Sequence, residues 1–238
     1  MSPQEHPVQT EIALKGGRTT KGVMKINNTV RRPHKETSNY VNKILIFLYD
    51  NNFLFCPKFL GIDELGRDTY SYIEGFVPDE IGNTTIEQLC LFMKIVREFH
   101  DKSILFLNDA DKVLCHNDLS PCNTVFVNNK PIAIIDWDNV SVGERWQDIV
   151  YILWLWINIG SHKRSEIDII GQMQKALQSY GADIHTQTDL SDKLLWRMDK
   201  VLAETPMASP QYNRIKDWVG FSKQWVLENN VKIKNHIG

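Results

Sequence analysis

The chain has little cysteine: four residues in 238, at positions 56, 90, 115 and 122, with no C-x-x-C spacing. That argues against a zinc cluster and against a disulfide framework, and predicts free thiols in a reducing compartment. It also lacks an excess of charge of either sign. Lys and Arg number 27 against 29 Asp and Glu, a net charge of −2, which speaks against bulk nucleic-acid binding. Long apolar runs are missing as well. The most apolar stretch, Ile149 to Ile159, is too short to cross a bilayer and reads as a buried helix. The first ten residues are polar, without the apolar core of a signal peptide. No repeat of about 20–50 residues is visible. These absences predict a cytoplasmic setting, with neither membrane nor nucleic acid as partner. What is present is an ordinary globular composition, 42% hydrophobic and 24% charged, sufficient for a real core or two small lobes.

The densest chemistry lies between Cys115 and Asp148. Two apolar runs, Thr124–Val127 and Ile132–Ile135, flank the turn-rich Asn128-Asn129-Lys130-Pro131 and predict a β-hairpin. With the turn centred between Asn129 and Lys130, Asn123 opposes Asp136, and opposed Cα atoms lie about 4.5–5.5 Å apart. Asp118 stands five residues before Asn123, in a loop held by Pro121. Two carboxylates and an amide then converge, a hard-oxygen set that suits Mg²⁺ with room left for water and phosphate oxygens.

The ordered set resembles a known family. His116-Asn117-Asp118 followed by Asn123 is similar to the H-x-D-x-x-x-x-N catalytic loop of kinase-like phosphotransferases. Asp136-Trp137-Asp138 stands where protein kinases carry D-F-G, and this variant resembles the aminoglycoside phosphotransferase and choline kinase branch. The resemblance implies an α+β, two-lobed protein kinase-like fold. A small antiparallel-sheet N-lobe would span 1–73 and a mainly helical C-lobe 74–238. It implies Asp118 as the catalytic base, Asn123 and Asp136 as Mg²⁺ ligands, and ATP or GTP as co-substrate. Asp148 matches the helix aspartate that holds the loop backbone. His116 reads as a structural buttress.

The upstream sequence supplies what such a site needs above it. Gly16-Gly17, between predicted strands, resembles the nucleotide-covering turn, where glycine lets backbone approach phosphates. Between Lys15 and Lys43 there are eight bases and one acid, Glu36, against eight acids and four bases from Asp101 to Asp148. A basic lobe over an acidic loop favours a polyphosphate between them. By resemblance Arg31 takes the place of the third-strand cation that holds the phosphates, with Arg32 facing the other way. The helix predicted over 37–49 carries no glutamate at the position that pairs with this cation. Either Glu36 serves, or the arginine is left to the phosphates. Tyr72 and Ile73 resemble the interlobe hinge, whose backbone hydrogen-bonds the nucleotide base.

A second helix starts at Thr84 or Thr85, with Glu87 placed to cap it and His100 expected at its C-terminal end. Leu89, Phe92, Met93, Val96 and Phe99 form its apolar stripe and predict core packing. Only seven residues, 137–143, separate Asp136 from the next helix, and Asn117 replaces the arginine of protein kinases. Both differences imply a small-molecule hydroxyl acceptor in place of a peptide. Helices are predicted near 163–181, 190–203 and 211–227. The expected activity is transfer of a nucleotide γ-phosphoryl to that hydroxyl, on an aminoglycoside-like sugar, an amino alcohol or another metabolite. A nucleotide-binding regulatory module of the same fold is the alternative.

Overall fold

A computed structural model describes residues 11–14, 22–82, 84–161, 166–181 and 189–237. Gly16 and Gly17, expected over the phosphates, lie outside the described residues.

The N-terminal part is a five-stranded antiparallel sheet. Its strands are β1 (Glu11–Ala13), β2 (Met24–Ile26), β3 (Thr29–Pro33), β4 (Phe59–Ile62) and β5 (Arg67–Ser71), in the order β1-β2-β3-β5-β4. Asn27 takes a positive φ of 54° and closes the β2–β3 turn, a conformation that asparagine tolerates. Helix α1 (Ser38–Asp50) follows; of the apolar stripe that its spacing predicts, Tyr40, Val41, Ile44, Leu45 and Leu48, it buries all but Tyr40, which stays exposed.

The C-terminal part is helical: α2 (Ile86–Leu107), α3 (Arg145–Ile157), α4 (Glu166–Tyr180), α5 (Leu190–Glu204) and α6 (Tyr212–Ile237). Two small ladders sit against them, β6 (Val113–Cys115) with β9 (Ser141–Gly143), and β7 (Thr124–Val127) with β8 (Lys130–Ile134). The α2 stripe from Leu89 to Phe99 is fully buried. Helix α3 contributes Trp154, stacked on Trp218 at 4.2 Å, and Trp156, stacked on Phe92 at 4.2 Å. This is the two-lobed protein kinase-like architecture. No described helix is long and apolar enough to cross a membrane.

Two local expectations change. Thr85 caps α2 reciprocally with Gln88, the residue three positions on, and Glu87 adds hydrogen bonds to its own N–H and to the Thr85 side chain as well as charge in the first turn. And α2 does not end at His100. It runs to Leu107 and closes at Asn108, which takes the left-handed conformation. His100 is therefore mid-helix and fully buried, its Nδ1 2.7 Å from the Tyr180 hydroxyl and its Nε2 3.2 Å from Asp148.

The sheet and the helical part meet at the hairpin. The Ile134 N–H donates to the Phe55 carbonyl, and Phe76 pairs with Phe126 through two backbone bonds of 2.8 and 2.7 Å. Gly75 permits this approach: a Cβ there would stand 2.7 Å from the Phe126 carbonyl oxygen and 2.5 Å from Val125 Cγ1.

Candidate active site

The loop from Cys115 to Asn123 is fixed from beneath by one buried carboxylate. Asp148, in the first turn of α3, accepts the His116 and Asn117 backbone N–H groups at 2.8 Å each and faces His100 at 3.2 Å. Burial works to raise its pKa, but the His100 hydrogen bond and the Asn117 N–H outweigh it and hold the carboxyl below its ordinary range. The role expected of Asp148 as a loop anchor has this geometry. His116 is wholly buried. Its Nδ1 accepts the Asp118 N–H at 3.3 Å, so its Nε2–H faces the Ile135 carbonyl at 3.2 Å. Asn117, at a positive φ of 65°, donates its side-chain amide to the Asn139 carbonyl and Ser141 hydroxyl, both at 2.9 Å.

Burial lowers the pKa of both His100 and His116, so each is neutral in the fold. In the unfolded chain they take up protons below about 6.5. The unfolded state then binds more protons, so stability falls as pH drops through that value. Stability towards urea is expected to decrease between about pH 7 and pH 5.5, by at most about 1.3 kcal/mol for each imidazole over that interval, seen as a falling midpoint. A midpoint constant over that interval contradicts the neutral, buried assignment.

Asp118 has both side-chain oxygens engaged, one of them by Asn123, which lines the interlobe cavity. Asn123 donates its side-chain nitrogen to Oδ2 at 2.8 Å, and the Tyr151 hydroxyl donates to Oδ1 at 3.0 Å. Because the Asn123 nitrogen turns to Asp118, the oxygen of the same amide points away from it. Tyr151, from α3, was invisible in the sequence pattern. Burial, then the Asp118 charge, raises its pKa and keeps it a donor. Beneath it lies buried Arg197 of α5, its guanidinium 4.1 Å from the Tyr151 ring centre and donating to the Asn117 carbonyl. Neither contact has a local signal, since α5 reaches the loop across about eighty residues of chain.

The hairpin forms, but its register is one residue shorter than expected. Asn128 and Asn129 both have positive φ, as a two-residue type I′ turn requires, and a bulge lies between Val125 and Phe126. Thr124 pairs with Ile134, and the Ile135 N–H donates to the Asn123 carbonyl at 2.9 Å, so Asn123 faces Ile135 and not Asp136. Asp136 still reaches the cleft because its backbone turns left-handed, at φ 64° and ψ 65°. Non-glycine residues held this way concentrate at functional sites. Asn123 and Asp136 line the same cavity of about 350 Å³. Burial, and then the neighbouring Asp138 charge, raise the Asp136 pKa. A metal would fit this donor set only in part: among the described residues no cluster of three His, Cys, Asp or Glu side chains could hold one alone. One carboxylate and one amide oxygen leave most of a Mg²⁺ shell to phosphate and water, as that ion prefers.

The arginines of β3 are placed the other way round from the expectation. Arg31 points out of the cleft, its Nε 3.2 Å from the Thr29 hydroxyl and its guanidinium 3.1 Å from Asp63. Burial opposes the shift, yet hydrogen bonds from Arg67 and Arg31 hold the Asp63 carboxyl down to about 2. Arg32 lines the cleft, 2.6 Å from Asp138 and 3.8 Å from Asp136. The strand alternation was right; the twist of the sheet decides which face looks inward. Lys35 also reaches Asp138 at 2.6 Å, and the two cations overcome burial to lower that carboxyl's pKa. No described salt bridge joins Glu36 to Arg31; Asp63 is the acid Arg31 meets.

Above these groups the cleft is apolar, lined by Leu14, Val23, Val30, Leu45, Val77 and Ile135 among others. Tyr72 and Ile73 lie on its wall, and Lys25 sits 3.6 Å over the Tyr72 ring. Apolar walls with a few convergent polar groups at one end are what a nucleotide base and its phosphates require. Cys122 also lines the cavity.

Comparison with known proteins agrees with this fold. Residues 87–164, which carry Asp118, Asn123, Asp136 and Asp148, match the model of the phosphotransferase enzyme family. The trifolitoxin immunity protein of Rhizobium leguminosarum bv. trifolii is 28% identical over 213 residues, 78% of this chain and 79% of its own. A microcompartment-associated aminopropanol kinase superposes with a TM-score of 0.68 at 10% identity, over 97% of this chain and 95% of that one. An ADP-bound aminoglycoside phosphotransferase gives 0.57 at 15%, over 92% and 94%. The resemblance that the motifs implied, to the aminoglycoside phosphotransferase and choline kinase branch, is thus seen in the fold.

Proposed function

We propose that this chain, a kinase-like fold with the catalytic segment of a phosphotransferase, moves the γ-phosphoryl of ATP or GTP to a hydroxyl of a small molecule. One observation carries the reading: a carboxylate, Asp118, held by Tyr151 and by Asn123, and Asn123 lines an apolar cleft together with Asp136 and Arg32. Asp118 orients the acceptor hydroxyl and takes its proton, with Tyr151 and Asn123 fixing the carboxylate plane. Such a base works near its ordinary pKa because phosphoryl transfer depends mainly on positioning and charge neutralisation. Asn123 and Asp136 would hold Mg²⁺, which when bound neutralises phosphate charge. Arg32 meets the phosphates from above, and the backbone of Tyr72 and Ile73 holds the base.

The acceptor class rests on chain geometry. Ser141–Gly143 returns at once to pair with Val113–Cys115, so no long segment follows Asp136 to seat a peptide. An amino alcohol, an aminosugar or another metabolite fits the opening better.

A thermal-shift screen tests the reading, with Mg-ATP and Mg-GTP alone and beside amino alcohols, sugars and aminoglycosides. Ligands that bind only the folded state raise its melting temperature. A flat response to both nucleotides would overturn the proposal. Within the same screen the two arginines separate. Arg32→Ala is expected to weaken triphosphate binding by about ten- to a hundredfold, the size of a lost charge-assisted contact, while Arg31→Ala leaves it unchanged. The reverse outcome would return the phosphate role to Arg31.

A further inference from the structure

A cleft cation needs an acid that aims it at the phosphates, and α1 has no acid in its first turn. Its buried polar residues are Ser38 and Asn42. The acid nearest in register to Arg32 lies on the neighbouring strand: Arg32 of β3 is the Cα partner of Asp68 of β5. Opposed residues of an antiparallel pair project from the same face, with Cα atoms about 4.5–5.5 Å apart.

Asp68 is fully buried, and half of it is committed. Its Oδ1 accepts the Asn42 side-chain N–H at 2.9 Å and lies 2.9 Å from His34 Nδ1. The Tyr70 hydroxyl donates to Asn42 Oδ1 at 2.6 Å, so the amide must present its nitrogen to Asp68. The other oxygen, Oδ2, is buried with no hydrogen-bond partner. A buried carboxylate oxygen left without a donor is costly and calls for one. Arg32, meanwhile, is spent on Asp138 and Asp136, the carboxylates a Mg-nucleotide would compete for.

We propose that Asp68 is the positioning residue for Arg32 in the nucleotide-bound protein. Resting on the phosphotransferase reading, the inference is that Arg32 leaves Asp138 when a triphosphate enters and takes Asp68 Oδ2 as its partner. The planar guanidinium presents five donors in a fork, so one edge serves Asp68 while the other faces the phosphates. Asp136 is thereby released, and Asp138 keeps Lys35. The sheet thus supplies the acid that α1 lacks, and Asn42 and His34 hold it in place.

The test uses the full chain and a non-hydrolysable ATP or GTP analogue with Mg²⁺. In a crystal structure of the wild-type complex, Arg32 is expected within hydrogen-bonding distance of Asp68 Oδ2 and off Asp138. Arg32 still on Asp138 would overturn the inference while leaving the phosphotransferase reading intact. By calorimetric titration, Asp68→Asn is expected to weaken the Mg-triphosphate about ten- to a hundredfold and leave the free nucleoside unchanged. Adding Asn42→Asp, which returns a carboxylate to the same pair, restores the difference. An Asp68 that only stabilises the sheet would lower the melting temperature and leave the ratio of triphosphate to nucleoside affinity untouched, and that ratio decides against the proposal. If Asp68→Asn does not fold, the wild-type complex decides alone. A wild-type protein that binds no nucleotide removes the phosphotransferase reading, and this inference with it.

Discussion

Replacing Asp118 with asparagine is expected to lower turnover by about 10²–10⁴-fold, the range for loss of a general acid–base group. Shape is preserved, since the two side chains are isosteric. What changes is donor and acceptor count. Asp118 now accepts from Asn123 at 2.8 Å and from Tyr151 at 3.0 Å. An asparagine has one acceptor oxygen, so its NH₂ must face Asn123 or Tyr151, and it takes no proton from an acceptor hydroxyl. On the proposed reading, nucleotide affinity rests on the hinge, Arg32, Asn123 and Asp136, and should be largely unaffected. A steady-state assay beside a binding titration reads both. Unchanged turnover would remove Asp118 from its role.

The second large effect is on stability. Asp148→Ala is expected to cost on the order of 4 kcal/mol, because it strips partners from buried donors at His116 N, Asn117 N and His100, each orphan costing about 1–3 kcal/mol. That is a large fraction of the roughly 5–15 kcal/mol that holds a domain folded. Urea denaturation measures it. A loss below about 1 kcal/mol, ordinary for a surface change, would mean that Asp148 does not anchor the loop.

Much of this was legible because the signals are local. The α1 and α2 stripes, the hairpin and the loop from His116 to Asn123 each follow from short-range periodicity or turn chemistry. The misplacements share one cause. Alternation along β3 separates Arg31 from Arg32, but only sheet twist and lobe packing decide which faces the cleft. The hairpin shifted by one because Asn128 and Asn129 accept the left-handed conformation and a bulge takes up the remainder. His100 looked like a helix end, yet no breaker follows it until Asn108. Tyr151, Arg197 and Asp68 are brought to the site by tertiary packing, and their sequence neighbourhoods carry no sign of it.

The placement of Arg32 has a wider consequence. Arg32 and Lys35, both from the N-terminal part, converge on Asp138 of the C-terminal part at 2.6 Å. A nucleotide bound as proposed would compete with this cross-lobe contact, since phosphate capture would draw on the same cations. Ionic strength should then affect triphosphate binding more than nucleoside binding.

The central claim is a Mg-dependent phosphoryl transfer at this cleft, and γ-labelled nucleotide tests it most directly. Incubated with Mg²⁺, the wild-type chain is expected to release label slowly to water and faster to a productive acceptor, while Asp136→Ala releases none in either case. Release that is equal in wild type and Asp136→Ala, or that persists without Mg²⁺, would contradict the account.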